Sequence, residues 1–257
     1  MTKTVNGLEV ACEQLGSGPD LIMLHGWGYD HTLLLPLAQQ LAAFARVTLI
    51  DLPGHGGTPE PARPYDAFDF ADLVAGVMDG LGIARAVILG HSNGGRTALA
   101  MTRDHADRVE KLILCDAAGL RPKRTFTYYR KVYTYKLGKA FLKLPFFTEE
   151  TRQRYQRGKG SEDYKNLSPL MKQTFIRLVN SDLSDLLPAI GQPTLLIWGD
   201  QDRDTPLYMA KKMESLIPDC GLVLYKNAGH YAFLERMTQT VAVMRSFLNG
   251  TAEGGRG

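Results

Sequence analysis

Cysteine is scarce in this chain: three in 257 residues, at positions 12, 115 and 220. Their odd number and wide spacing assemble neither a disulfide framework nor a zinc or redox pair, and free thiols in a reducing compartment are expected. Long hydrophobic runs are missing too. Nothing approaches the roughly 20 consecutive apolar residues that span a bilayer. The first residues, Met1 to Gly7, have no apolar core of the kind a secretion signal carries, so a cytoplasmic protein is expected. Neither a Gly-Lys-Ser/Thr phosphate loop nor a dinucleotide fingerprint is present. No histidine and carboxylate cluster has metal-ligand spacing, so no cofactor and no metal are expected. Internal repeats and low-complexity stretches are also lacking. What remains is a soluble globular composition, 44% hydrophobic and 22% charged, in a length that suits one α/β domain with an insertion.

Short apolar, β-branched runs recur along the chain: LIMLHG (21–26), VTLIDLPG (47–54), AVILGHS (86–92), KLILCDAA (111–118), TLLIWGD (194–200) and GLVLYKNAGH (221–230). Most are apolar at consecutive positions instead of alternating, the pattern of strands buried on both faces of a mostly parallel sheet. Helical patterns separate them at 31–44, 67–81, 93–103, 206–217 and 235–248. The N-terminal segment, with Asn6-Gly7 as its turn, is expected to form an antiparallel hairpin at the sheet edge. Strand and helix in alternation predict a doubly wound α/β fold.

The alternation breaks once. From about 119 to 187 no strand pattern appears, and tyrosines and phenylalanines stand among many lysines and arginines. The net charge of +3 conceals this segment. Residues 119–182 hold 15 Lys and Arg against 5 Asp and Glu, while the rest of the chain holds 15 against 22. An insertion after a strand's C-terminal end lies where α/β sheets bind ligands, and a helical cap is expected there. The predicted organisation is a core of residues 1–118 and 188–250, a cap of 119–187 and a disordered tail of 251–257.

Gly90-His91-Ser92-Asn93-Gly94 follows a predicted strand and opens a helix. In that context G-x-S-x-G places a serine on a tight, strained turn with its hydroxyl at the top of the sheet. Side chains two residues to either side would collide with the turn, hence the glycines. A serine hydroxyl needs a base to act as a nucleophile at neutral pH. Two histidines lie downstream. His105 sits in a polar helix end, whereas His230 directly follows the last predicted strand and is the candidate base. The loop WGDQDRDTP offers Asp200, Asp202 and Asp204 as the acid. Asp202 is in mid-loop, while Asp200 suits a turn and Asp204 a helix cap; Asp116, ending an earlier strand, is a rival. For the oxyanion, the backbone N–H groups of Asn93 and of Trp27, in HGWGYD (25–30), are the candidate donors. His25 and Tyr231 from core loops, with Tyr129, Tyr133 and Phe141 from the cap, are candidates for the substrate-binding wall.

The segments LHGWG, DLPGHGGT, GHSNGG, WGDQDRDTP and NAGHYAFLE stand in the order and spacing of the α/β-hydrolase superfamily, which the chain resembles over nearly its whole length outside the cap. The resemblance implies an eight-stranded, mostly parallel sheet flanked by helices. In that superfamily the acid lies three residues after the glycine of a Trp-Gly pair, with a proline four further on; Asp202 and Pro206 fit. It thus implies a Ser92–Asp202–His230 triad, an oxyanion hole at Trp27 and Asn93, and a structural His55. A serine nucleophile excludes dehalogenase and epoxide hydrolase chemistry, which need an aspartate.

Motifs shared across a superfamily do not choose a substrate. The leading expectation is a serine carboxylesterase acting on small to medium apolar acyl groups. Alternatives are cleavage of carbon–carbon bonds in ring-cleavage dienoates, and hydrolysis of an ester on an acidic carrier protein docked on the basic cap, as in pimeloyl-carrier-protein methyl ester esterases, which are similar in size and share HGWG. A receptor that keeps the fold with little turnover is a further reading. The basic cap is open to three others: a solvated face, a collector of small anions, or a contact with an anionic membrane surface. No nucleic-acid motif accompanies its charge. A monomer or dimer is expected.

Overall fold

Strands that are apolar at every position need cover on both faces, and the chain supplies it. The computed structural model describes residues 1–122 and 166–250, together with Arg130, Tyr133, Thr134, Thr148 and Tyr164. Eight strands form one sheet among the described residues: β1 (Thr2–Val5), β2 (Leu8–Leu15), β3 (Asp20–Leu24), β4 (Arg46–Ile50), β5 (Ala86–His91), β6 (Val109–Cys115), β7 (Thr194–Gly199) and β8 (Cys220–Tyr225). Their order is β1-β2-β4-β3-β5-β6-β7-β8. The first two are a hairpin that pairs antiparallel with β4, and all other pairings are parallel. The hairpin turn is Asn6-Gly7, both with positive φ (49° and 79°), as a two-residue turn of this hand requires.

Neighbouring residues along each central strand serve opposite cores. Ile22, Leu24, Ile88, Leu112, Leu114, Leu196 and Trp198 face one cluster, with helices α2 (Ala67–Leu81), α3 (Asn93–Asp104) and α5 (Tyr208–Leu216). Leu21, Met23, Val87, Leu89, Ile113, Leu195 and Ile197 face the other, with α1 (Leu35–Leu41), α6 (Ala232–Glu235) and α7 (Met237–Asn249). This is the physical content of the unbroken apolar runs. Helix α4 (Pro169–Asn180) comes from the segment expected to be cap. At the end of that segment, Leu183 and Leu187 are buried in the first cluster. Most of the expected cap and the whole of 251–257 lie outside the described residues.

Element boundaries depart from expectation where local chemistry intervenes. The helix expected over 31–44 is a one-turn 3-10 segment, His31–Leu33, followed by α1, with Pro36 in the first turn. Proline lacks the N–H a continuing helix needs but suits the start of a new one. The last predicted helix is likewise two, α6 and α7, separated at Arg236. Helix α2 matches its expected bounds because both ends are fixed by side chains and a glycine. Asp66 accepts the Phe68 and Asp69 N–H groups while Asp69 accepts that of Asp66, and Gly82 closes the helix in the left-handed conformation. No helix among the described residues is long and apolar enough to cross a membrane.

The chain leaves β3 toward β4 on one side and returns to β5 on the other. A crevice opens at such a reversal, beyond the carboxyl ends of the strands. The loop after β3 and the turn after β5 both end there.

Candidate active site

Ser92 occupies the turn between β5 and α3 with φ 50° and ψ −114°, a conformation that L side chains rarely adopt. It is held on three sides: its N–H donates to the Cys115 carbonyl (3.2 Å), and its own carbonyl accepts from Arg96 (3.2 Å) and Ala118 (2.9 Å). The flanking glycines are sterically required. A Cβ on Gly90 would lie 2.3 Å from the Gly94 carbonyl oxygen, and one on Gly94 would lie 2.0 Å from that of Leu24. The turn therefore exists only because α3 can approach β5 and β3 this closely.

His230 reaches the same crevice from the loop after β8. Its Nδ1–H donates to Asp202 Oδ2 (2.8 Å), which fixes the tautomer and leaves Nε2 as the free nitrogen. The Asp202 carboxylate is saturated. Its Oδ1 accepts from the Asp204 and Thr205 N–H groups (2.8 and 3.0 Å), and its Oδ2 lies 2.6 Å from the Thr205 hydroxyl as well. Burial opposes the Asp202 charge, but the hydrogen bonds from His230 and Thr205 outweigh it and hold the carboxyl below its ordinary range. Burial likewise opposes a charge on His230, and the hydrogen bond and charge of Asp202 overcome it, so the imidazole titrates above its ordinary value. Below that ring lies the buried His91, whose Nε2–H donates to the His230 carbonyl (2.9 Å) with ring centroids 4.8 Å apart. Burial pushes His91 down to about 3, so it stays neutral.

Ser92 and His230 line one cavity of about 540 Å³. Its walls include Trp27 and Tyr29 from the loop after β3, Phe175, Leu178 and Val179 from α4, and Met209 from α5. Gly26 lies against the Ser92 turn: a Cβ there would sit 3.2 Å from that of Ser92. Gly28, at φ 80°, turns the chain back outward. The backbone N–H groups of Trp27 and Asn93 meet no acceptor among the described residues. Asp202, Asp204 and His230 bring ligand atoms within 4.8 Å of one another, the spacing of a metal site. The Asp202 oxygens are, however, already taken by four donors, which argues against a cation there.

The family model described as "alpha/beta hydrolase fold" matches residues 19–236. The chain belongs to the α/β-hydrolase family. Among similar proteins, the pimeloyl-[acyl-carrier protein] methyl ester esterase of Nitrosomonas europaea is 28% identical over 255 residues, covering 90% of this chain and 96% of that protein. A 2-hydroxy-6-oxononadienedioate/2-hydroxy-6-oxononatrienedioate hydrolase from a Pseudomonas species is 30% identical over 265 residues, covering 95% and 89%. The crystal structure of a membrane phospholipase A, a bacterial virulence factor, superposes with a TM-score of 0.79 at 28% identity, over 99% of this chain and 86% of that one. As an α/β hydrolase, the chain has esterases and a dienedioate hydrolase for relatives at nearly equal distance, so family membership alone does not select its bond.

In this α/β hydrolase the residues singled out from sequence fall into three groups. Ser92, Asn93, Trp27, His230 and Tyr231 line the cavity, and Asp202 lies behind His230. His25 is placed under the loop instead of on the cavity wall. It is fully buried, with Nδ1–H donating to the Gly26 carbonyl (2.8 Å) and Nε2 accepting the Leu52 N–H (2.9 Å), so both ring nitrogens are spent on backbone. Tyr133 is 60% exposed, and Tyr129 and Phe141 lie outside the described residues. Asp116, the rival acid, is buried with both oxygens on backbone, accepting from Gly199 (2.9 Å) and Ala232 (3.2 Å). His55 packs edge-on against Trp27 (centroids 4.8 Å apart) and hydrogen-bonds the Pro53 carbonyl, a supporting position.

Sequence reasoning passed over Arg96, Thr205, His91 and the α4 wall. Thr205 was legible as the residue before Pro206 in the acid loop. Arg96, four residues after Ser92, stands on the same helix face one turn on. The α4 residues carry no motif, and only the packing of α4 in the tertiary structure brings them to the cavity.

Proposed function

We propose that the protein is a cytoplasmic serine hydrolase of carboxylic esters with small to medium apolar acyl groups. The observation that carries this reading is the 2.8 Å hydrogen bond from His230 to Asp202, over a cavity shared with a serine at positive φ. Ser92 Oγ attacks the ester carbonyl and passes its proton to His230 Nε2. Asp202 holds the imidazole in the tautomer that can accept it and stabilises the imidazolium. The N–H groups of Trp27 and Asn93 receive the developing oxyanion, each such donor being worth about 2.7–4 kcal/mol in comparable sites. His230 then protonates the departing alcohol, and a water deprotonated by His230 releases the acid from the acyl-enzyme. The apolar wall from α4 and Met209 supports the acyl preference.

Hydrolysis of p-nitrophenyl acetate and butyrate tests the proposal. Wild type is expected to exceed Ser92→Ala by at least about 10³-fold in kcat and to be labelled stoichiometrically by a fluorophosphonate at Ser92. Equal rates for the two proteins refute it. Including a ring-cleavage dienoate and a carrier-protein ester in the panel separates the ester reading from its two alternatives; a dienoate faster than every ester by orders of magnitude assigns the carbon–carbon bond instead.

A further inference from the structure

Four buried side-chain nitrogens among the described residues have no hydrogen-bond partner: Trp27 Nε1, His91 Nδ1, Asn93 Nδ2 and Arg96 Nε. All four belong to residues that line the one cavity beside Ser92. A buried donor left unpaired costs about 1–3 kcal/mol, so their concentration at a single place needs a reason. His91 Nδ1 is the acceptor nitrogen of a ring whose Nε2–H is committed to the His230 carbonyl. The other three are donors. None of the four atoms has surface open to the cavity, so they mark a core short of acceptors around Ser92, and only an unpartnered nitrogen outside this group can meet a ligand.

Arg96 decides the charge of that ligand. Its residue is 6% exposed, and among the described residues its guanidinium bonds only through Nη1, to the Ser181 hydroxyl (2.5 Å) and carbonyl (3.4 Å). No carboxylate among the described residues pairs with it; Asp182 acts on it only from a distance. Burial lowers its pKa to about 10, which leaves it cationic at neutral pH. Elsewhere in this molecule the Nε and Nη2 edge of an arginine grips a carboxylate with two parallel bonds, as Arg46 does Asp20 at 2.6 Å each. In Arg96 the Nε is closed off and unpartnered, whereas Nη2 makes no bond to the described residues and is not among the closed-off atoms, so Nη2 is the nitrogen a carboxylate in the cavity can meet. Ser92 lies four residues away, a rise of about 6 Å along a helix. The lining residues Leu178, Val179 and Met209 can cover a short methylene chain over such a span.

We infer that the substrate carries a second, ionised carboxyl group, held by Arg96, while Ser92 attacks the ester at the other end of a short apolar chain. This inference deepens the ester-hydrolase reading and rests on it.

The test uses monomethyl succinate, glutarate and adipate, each beside its neutral isostere in which the free carboxylate is a carboxamide. Wild type is expected to favour the carboxylate member of the best pair by about tenfold to a hundredfold in kcat/KM, the worth of a charge-assisted hydrogen bond, and chiefly through KM. Arg96→Met should bring that ratio to about one, and Arg96→Lys should keep part of it. The ratio is taken within each variant, so a general loss of folded enzyme cancels. A role limited to fastening Ser181 would lower both members together and leave the ratio intact, which overturns the inference, as does a wild-type ratio of one. Calorimetric titration of Ser92→Ala with the same half-esters reads binding without turnover. Tighter binding of the carboxylate member, lost in Ser92→Ala/Arg96→Met, is the supporting result, and equal binding by the two proteins, or none, overturns it. If wild type hydrolyses neutral esters through Ser92 without such a preference, the ester-hydrolase reading stands and this inference falls; carboxylate-dependent binding without any turnover has the opposite meaning.

Discussion

At the scale of single residues, the candidate site is a set of polar groups whose freedom has been removed. Asp202 has four donors on two oxygens, so it can neither rotate nor pick up a proton easily, and it fixes one tautomer of His230. Asp202→Asn replaces a charge and reverses one hydrogen-bonding face, and its expected effect is a fall in kcat of about 10⁴-fold with KM little changed. The pH profile carries a second signature. In the proposed mechanism the base must be neutral, so kcat/KM is expected to rise as pH climbs through the pKa of His230, which in wild type lies above the ordinary 6.5 because of Asp202. In Asp202→Asn the residual activity should show that limb moved to lower pH, measured from kcat/KM between pH 5 and 9. A limb that stays in place would mean that another group sets it.

At the scale of elements, the site is a consequence of how closely α3 lies on the sheet. Gly94 on α3 stands almost on the Leu24 carbonyl of β3, and a Cβ on Gly95 would lie 2.3 Å from that of Ala117. Gly94→Ala must push the helix outward. The cost expected for such overpacking is about 1–3 kcal/mol of unfolding free energy, read from urea titrations. Because Ser92 and Asn93 ride on the displaced end, esterase activity should fall more than stability does. The strands and α2 and α3 were legible because period and punctuation agree there. Unbroken apolar runs marked the buried sheet, and Asp66 with Gly82 marked the ends of α2. The elements that departed, α1 and the pair α6 and α7, are ones where a proline or a single kinked residue divides a continuous apolar pattern.

At the scale of the whole molecule, Asp116 links two strand ends and the start of α6. From the end of β6 its carboxylate takes the Gly199 N–H at the end of β7 and the Ala232 N–H just past His230, while the Thr205 hydroxyl lies 3.0 Å from its carbonyl. The same burial that makes it a tie makes its charge unfavourable, and its pKa rises from 3.8 to about 7. A group that holds its proton more tightly when folded contributes its full stabilisation below the unfolded value and loses it as pH rises through the folded one. Wild type should therefore lose stability from this group between about pH 4 and 7, by up to a few kcal/mol. Asp116→Asn, which cannot ionise, should show a smaller fall between pH 5 and pH 8 in urea titrations. An equal fall in both proteins would place the loss on other groups.

The sequence by itself determined the strands of the sheet, helices α2 and α3 and the glycine-flanked turn at Ser92, because these follow from short-range rules: hydrophobic period, capping, and the steric demand for glycine on either side of Ser92. It also singled out His230 as the candidate base, by its position after the last predicted strand. Only the tertiary structure decided that Asp202 and not Asp116 hydrogen-bonds that histidine, that His25 is spent on backbone, and that Arg96 stands with an open Nη2 beside the serine. Those outcomes depend on which of several local possibilities is satisfied by a partner from 20 to 140 residues away, and no periodicity encodes a partner at that distance.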